Sequence, residues 1–194
     1  MNRSEMRQTL IDSTICVIAE SGFDKATTKL IATKAQLNEA YIYRCFLDKE
    51  DLFTKVFDHL DDELATKITQ FMSVMHSENL DFEIRCRLYF SAIWSFLLGD
   101  KEKCLAFVRY YYSPYFEKYS IENHKNRYEV IVEKFKGTFK DEADVWMILN
   151  HILDVMLSFA VKVHNGQMPS EDNYSEHVFR VIYRSVEQYF CKTE

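Results

Sequence analysis

Only four glycines and two prolines interrupt this chain of 194 residues: Gly22, Gly99, Gly137, Gly166, Pro114 and Pro169. A sheet protein of this length needs many tight turns, and tight turns draw on the two residue types this chain nearly lacks. An all-α fold follows. With 47% apolar residues the chain can also bury a substantial core.

The few breakers divide the apolar periodicity into about nine helices. Leu10, Ile11, Ile15 and Ile18 form the inner stripe of a first helix over about 4–21, ended by Gly22. Thr27 and Thr28 can cap a short helix from about Thr28 to Ala35, whose apolar face is Leu30, Ile31, Ala32 and Ala35. Asn38 can cap a second short helix that turns Leu37, Ile42 and Phe46 inward and leaves Glu39, Ala40, Tyr41 and Arg44 outward. Asp48 then starts a fourth helix at Lys49, expected to run as one rod to the region of Met72–Met75. Further helices are expected over about 80–98, 101–112, 120–137, 142–164 and 170–191. Two short helices joined by a three-residue turn are the layout of a DNA-reading helix-turn-helix.

The net charge of −6 argues against a nucleic-acid partner until its distribution is considered. Residues 1–55 hold eight basic and eight acidic side chains, so the whole excess lies beyond them. Lys29, Lys34, Arg44 and Lys49 could gather around the two short helices and hold phosphate in a salt-dependent way. The five scattered cysteines read as reduced thiols, no stretch reaches the ~18 uninterrupted apolar residues of a membrane span, and the start lacks a signal sequence. The expectation is a soluble, cytoplasmic protein.

The first 55 or so residues resemble the DNA-binding domain of the TetR/AcrR family of transcriptional regulators. The resemblance rests on Gly22-Phe23, Thr27, Ile31-Ala32, Ala35, Leu37-Asn38, Tyr43, Phe46 and Lys49 followed by Leu52, in order and spacing. It implies a DNA-binding domain over 1–48 and a ligand-binding and dimerisation domain over 49–194. It also implies that Asn38, Glu39, Ala40, Tyr41 and Arg44 face the major groove. Tyr43 and Lys49 would hold phosphates, with backbone contacts from Thr28 and Lys29. Three residues depart from the family's habit. Gln36 stands where the turn usually has Gly, which asks a non-glycine residue for a positive φ. Ala40 replaces another frequent Gly, and Glu39 puts a carboxylate where Lys or a small polar residue is common. The operator sequence is therefore not inherited.

Beyond residue 55 the signal is an excess of aromatic side chains over what one helix face can hide. Helical bundles place ligand pockets between such helices. Together with the resemblance this implies an inducer pocket lined by some of Phe90, Trp94, Phe107, Tyr111, Trp146, Asn150 and Asp154. Asn150, His151 and Asp154 stand in an otherwise apolar run and require partners. Met156, Phe159, Val163, Phe179, Ile182, Tyr183 and Val186, on the last two helices, offer a homodimer interface of four helices, as in the family. No cofactor, metal motif or catalytic pairing is legible. The reading is a homodimeric regulator, more in the manner of a repressor, that binds a palindromic operator as double-stranded DNA and is released by a small hydrophobic or aromatic inducer. The alternative is a helix-turn-helix scaffold that binds a partner protein instead.

Overall fold

The computed structural model describes residues 2–170 and 172–191, and the all-α expectation holds among them. Helix α1 (Arg3–Ser21) opens with a reciprocal cap. The Asn2 side chain accepts from the Glu5 amide at 2.9 Å, and the Glu5 carboxylate accepts from the Asn2 amide at 2.9 Å. Gly22 ends the helix at φ +79°, a conformation open to glycine without strain. Thr27 caps α2 (Thr28–Lys34) through the Leu30 amide at 3.1 Å, and α3 (Ala40–Cys45) follows after the turn.

The expected rod from Lys49 to Met75 is two helices. α4 (Lys49–Gln70) stops where Phe71 leaves helical geometry at ψ 1°, and α5 (Met72–Met75) resumes. α6 (Phe82–Gly99) and α7 (Lys101–Tyr111) lie where the breakers put them. The Ser113-Pro114 break hides a further helix, α8 (Pro114–Tyr119), because a proline at the first helical position loses only an amide that has no partner there. α9 (Ile121–Phe135) runs into a 3-10 turn at Lys136–Thr138. α10 (Val145–His164) starts three residues later than the periodicity predicts because Asp144 caps it, accepting from the Met147 amide at 2.9 Å. α11 (Asp172–Val186) ends in a second 3-10 turn at Glu187–Tyr189, so it does not reach Cys191.

The packing forms two units. One comprises the chain up to Glu63 with Lys101–Lys125; the other comprises Leu64–Asp100 and the chain from Asn126 on. This division differs from the 1–48 and 49–194 expected from the sequence, because α7 packs against α1. In the first unit Phe57 stacks on Tyr110 (4.6 Å between ring centroids) and on Phe107 (5.4 Å). The Arg109 guanidinium donates to the Ile18 carbonyl, closing the end of α1. Asp61 and His124, both buried, meet at 3.0 Å.

In the second unit α6, α10 and α11 pack around Met72, Met75, Tyr128, Ile131, Phe135, Phe139, Ile148 and Val186. α10 has a mean hydropathy of 1.4 over 18 residues, enough to cross a membrane by length and composition alone, yet only 28% of that window is buried within the chain. Apolar surface on α10 is therefore left for something else to cover.

Candidate DNA interface and apolar cavity

The turn between α2 and α3 is built on Gln36, which takes φ +55° as its place in the turn demands. Backbone bonds hold it there: Gln36 N to Thr33 O at 3.1 Å and Leu37 N to Ala32 O at 2.9 Å. Asn38 then caps α3, its side-chain oxygen accepting from the Ala40 amide at 2.9 Å. Ile42 is fully buried and fixes the inner face of α3, and Phe46 is buried just beyond it. What remains outside is Ala40, Tyr43 and Arg44, with Tyr43 at 58% exposure.

Local contacts order these outer side chains. The Arg44 guanidinium lies over the Tyr41 ring at 5.1 Å, and the Arg44 carbonyl accepts from Arg3 at 3.0 Å. Lys49 sits half-buried at the start of α4 with its ammonium over the Phe53 ring at 5.1 Å. Asp48 accepts from the Asp51 amide at 2.7 Å, and Asp51 accepts from the Leu47 amide at 3.0 Å. Leu47 itself is 88% exposed between α3 and α4.

The second unit contains a cavity of about 130 Å³. Its wall comes from α4 (Ile68), α5, α6 (Cys86, Tyr89, Phe90, Ile93), α9 (Tyr128, Ile131, Val132, Phe135), α10 and α11, with Thr138, Phe139 and Phe190 from outside the helices. Among the described residues no charged side chain lines it. The Tyr89 hydroxyl donates to the Ile68 carbonyl at 3.1 Å, and the Asn150 amide donates to the Trp146 carbonyl at 2.8 Å. Burial raises the Tyr89 phenol far above its usual range and the Cys86 thiol to about 12, so both stay neutral. The wall is uncharged throughout the physiological range.

Residues 10–56 match the family of bacterial regulatory proteins described as the tetR family. That match covers residues 10–56, and over most of its length the chain is similar to solved TetR regulators in fold. No curated protein matches it by sequence. Its fold is that of solved TetR structures. A TetR family transcription regulator from Marinobacter aquaeolei is similar at TM-score 0.76 and 18% identity, over 94% of this chain and 95% of that one. A second, from a Shewanella species, is similar at TM-score 0.76 and 16% identity over 96% and 99% of the two chains. The regulator FadR from Bacillus subtilis, solved in complex with stearoyl-CoA, is similar at TM-score 0.68 and 20% identity over 90% and 96%.

With the TetR fold as frame, the expected DNA-facing residues fall into two groups. Asn38, Ala40, Tyr43, Arg44 and Lys29 are exposed, and Tyr41 and Lys49 are half-buried beside them. Thr28 and Glu39 are tied to each other instead, the Thr28 hydroxyl donating to the Glu39 carboxylate. That bond fastens the start of α2 to the start of α3 and withdraws the carboxylate that a phosphate would meet. Lys34 is likewise drawn back to Glu20 at 2.7 Å.

The structure divides the expected pocket residues. Phe90, Trp146 and Asn150 line the cavity, while Trp94 is buried and stacks on Phe90 at 5.7 Å. Asp154 is not part of the wall, and Phe107 and Tyr111 belong to the aromatic core of the other unit. It divides the expected dimer set as well. Met156, Phe179, Ile182, Tyr183 and Val186 line the cavity, while Phe159 and Val163 lie outside that wall, half-buried. The outward apolar residues on these two helices are Met147 at 54% exposure and Val181 at 55%. Tyr128, Phe135, Phe139 and Phe190 also line the cavity; the apolar periodicity of α9 points to the first two, and the stripe of the last helix to Phe190.

Proposed function

We propose that this TetR-family chain is a homodimeric, ligand-responsive regulator that binds a palindromic operator and represses from it. The observation that carries the reading is the outer face of α3. Ala40, Tyr43 and Arg44 stand free on a helix whose inner face is locked by Ile42, with Lys29 exposed on α2 and Lys49 at the start of α4. Such a helix fits the major groove, with Tyr43 and Lys49 positioned to hold phosphates and Tyr41 and Arg44 to read base edges. Residues up to about 48 act as the DNA-binding domain and the remainder as the sensor.

The sensor reading rests on the cavity, and the stearoyl-CoA bound to the related FadR supports a ligand role for this fold. α4 carries Lys49 at one end and the cavity residue Ile68 near the other, without a break. A ligand that displaces the Ile68 end therefore bears on the phosphate anchor. A coupling of about 1–3 kcal/mol would change operator affinity about 5- to 150-fold. The dimer forms through the outward faces of α10 and α11 around Met147 and Val181, whose apolar surface the single chain leaves uncovered.

Selection of bound DNA from a random pool tests this reading. The expected product is a palindrome whose binding weakens steeply with salt. Arg44→Ala then changes the preferred sequence as well as the affinity, whereas Lys49→Ala weakens all sequences alike. A pool that returns no palindrome sinks the proposal and leaves a protein-binding scaffold as the better account.

A further inference from the structure

Almost all of the cavity wall is helical, and a helix can yield only by breaking its own ladder of hydrogen bonds. The exceptions are Thr138 and Phe139, at the end of one 3-10 turn, and Phe190, just after the other. These segments pair with each other in an isolated antiparallel bridge between Phe139 and Phe190. The pairing is slight: Lys140 N to Tyr189 O at 2.9 Å and Cys191 N to Thr138 O at 3.1 Å, with the Lys140 ammonium donating to Gln188 O at 2.6 Å. Phe190 is wedged among rings, edge-on to Phe82 at 4.8 Å and stacked on Phe139 at 5.3 Å, with Tyr183 at 5.6 Å. Few bonds and the short 3-10 geometry make the segment 187–191 the part of the wall that moves at least cost.

We infer that the strap 187–191 sets the length of the ligand, with Phe190 as its stop, and that the ligand is an uncharged apolar molecule. This rests on the reading of the cavity as a ligand site. The absence of charge among the described wall residues argues the ligand class. An ion placed there would lose its water and find no counter-charge, while the polar groups of Tyr89 and Asn150 already donate within the wall. Volume argues the size, because 130 Å³ is close to the ~150 Å³ apolar cavity that accepts a benzene ring. The cavity has room for about six carbons. A longer aliphatic chain must displace wall, and the Phe139–Phe190 pairing is where that costs least, so the strap acts as a ruler and not as a fixed barrier.

The test uses the full chain and the n-alkan-1-ols from butanol to decanol, with Trp146 fluorescence and titration calorimetry as readouts. Affinity in the unmodified chain should rise about fourfold per added methylene and then level off near six carbons. Phe190→Ala should move that plateau to chains at least two carbons longer, and Phe190→Trp should move it to shorter ones. A variant that merely loosens the fold would weaken every alcohol alike and leave the plateau in place. Hexanoate and hexylammonium should bind at least tenfold more weakly than hexan-1-ol. If the alcohols bind but the plateau ignores position 190, the strap is not the stop and the cavity reading survives. Equal binding of the two ions overturns the assignment of ligand class. If no alcohol of any length binds, the cavity reading itself falls, and the inference falls with it.

Discussion

The two units solve the problem of a helical core in opposite ways. The first is threaded with polar ties. Asp61 meets His124 at 3.0 Å, the Tyr110 hydroxyl meets Ser120 at 2.9 Å, and Arg109 grips the Ile18 carbonyl, all among stacked aromatic rings. The second leaves a largely apolar cavity of about 130 Å³, with no charged side chain among the described residues of its wall. Buried polar pairs specify one arrangement, because each partner is costly to leave alone. An apolar wall makes no such demand and can rearrange around a guest. The contrast matches the proposed division of labour, in which a head must present α3 in one geometry and a sensor must yield.

The largest effect should come from cutting a polar tie in the first unit. Asp61→Ala leaves buried His124 without this carboxylate, and loss of one member of a buried pair costs about 3–5 kcal/mol. A urea titration followed by circular dichroism should show the midpoint fall accordingly, with Asp61→Asn, which keeps an acceptor, losing less. A loss under about 1 kcal/mol would mean that the rings alone specify this core, and the comparison drawn above would break.

Added volume gives the next contrast. Ala106 on α7 is 1% exposed, and enlarging it to Leu should cost about 1–3 kcal/mol. Cys86→Met, by contrast, places added atoms in the cavity and should leave stability within about 1 kcal/mol of the unmodified chain. The same substitution should abolish hexan-1-ol binding. Thermal melts of the two variants side by side check the difference, and equal losses would mean that the cavity has no room to give.

What the sequence revealed follows from this same contrast. The helix-turn-helix was legible because each step there is enforced locally: Thr27 and Asn38 cap, Ile31 and Ile42 pack, and Gln36 takes the positive φ its place predicts. The pocket and the dimer face were not, because an apolar stripe tells only that a helix face is covered. Phe107 and Phe90 carry the same signal on neighbouring helices, yet one stacks on Phe57 in the first unit and the other lines the cavity. The stripe of Phe179, Ile182 and Val186 reads equally as an interface or a core, and long-range packing decides for the core. Phe190 continues the spacing of that stripe in the sequence, yet the helix ends at Val186 and Phe190 is set instead by its bridge to Phe139.

The thiols sharpen the comparison at smaller cost. Cys16 in the first unit is raised to about 11, by burial and then by Glu102, which accepts its S–H at 2.7 Å. Cys86 in the second is raised to about 12 chiefly by burial, with Arg85 pulling the other way. A raised pKa leaves little thiolate at pH 8, so both should react slowly with iodoacetamide. Glu102→Gln removes the carboxylate that disfavours the Cys16 anion, so the pKa falls and alkylation should quicken severalfold. Cys86 is raised chiefly by burial, so removing the charge of Glu83 or Asp81 should leave its rate nearly unchanged, whereas removing that of Arg85 should slow it further. Peptide mapping after timed alkylation reads both sites in one sample.

The smallest effect concerns the turn, and it bears on how rigidly the head is specified. Gln36 holds φ +55° at a cost of about 1–2 kcal/mol for a residue with a side chain. Gln36→Gly removes that cost but gives the unfolded chain more freedom to lose, which takes back roughly 0.5–1 kcal/mol. The net gain should be under about 1 kcal/mol, visible as a small rise in the melting temperature. Because the turn is held by Leu37 N to Ala32 O and Gln36 N to Thr33 O, α3 should keep its place and operator binding should not change. If stability rises while DNA binding falls, the exposed Gln36 side chain is itself a contact to the backbone of the operator. The strain would then be retained for what the side chain touches, and the head would owe its geometry to its ligand as much as to its core.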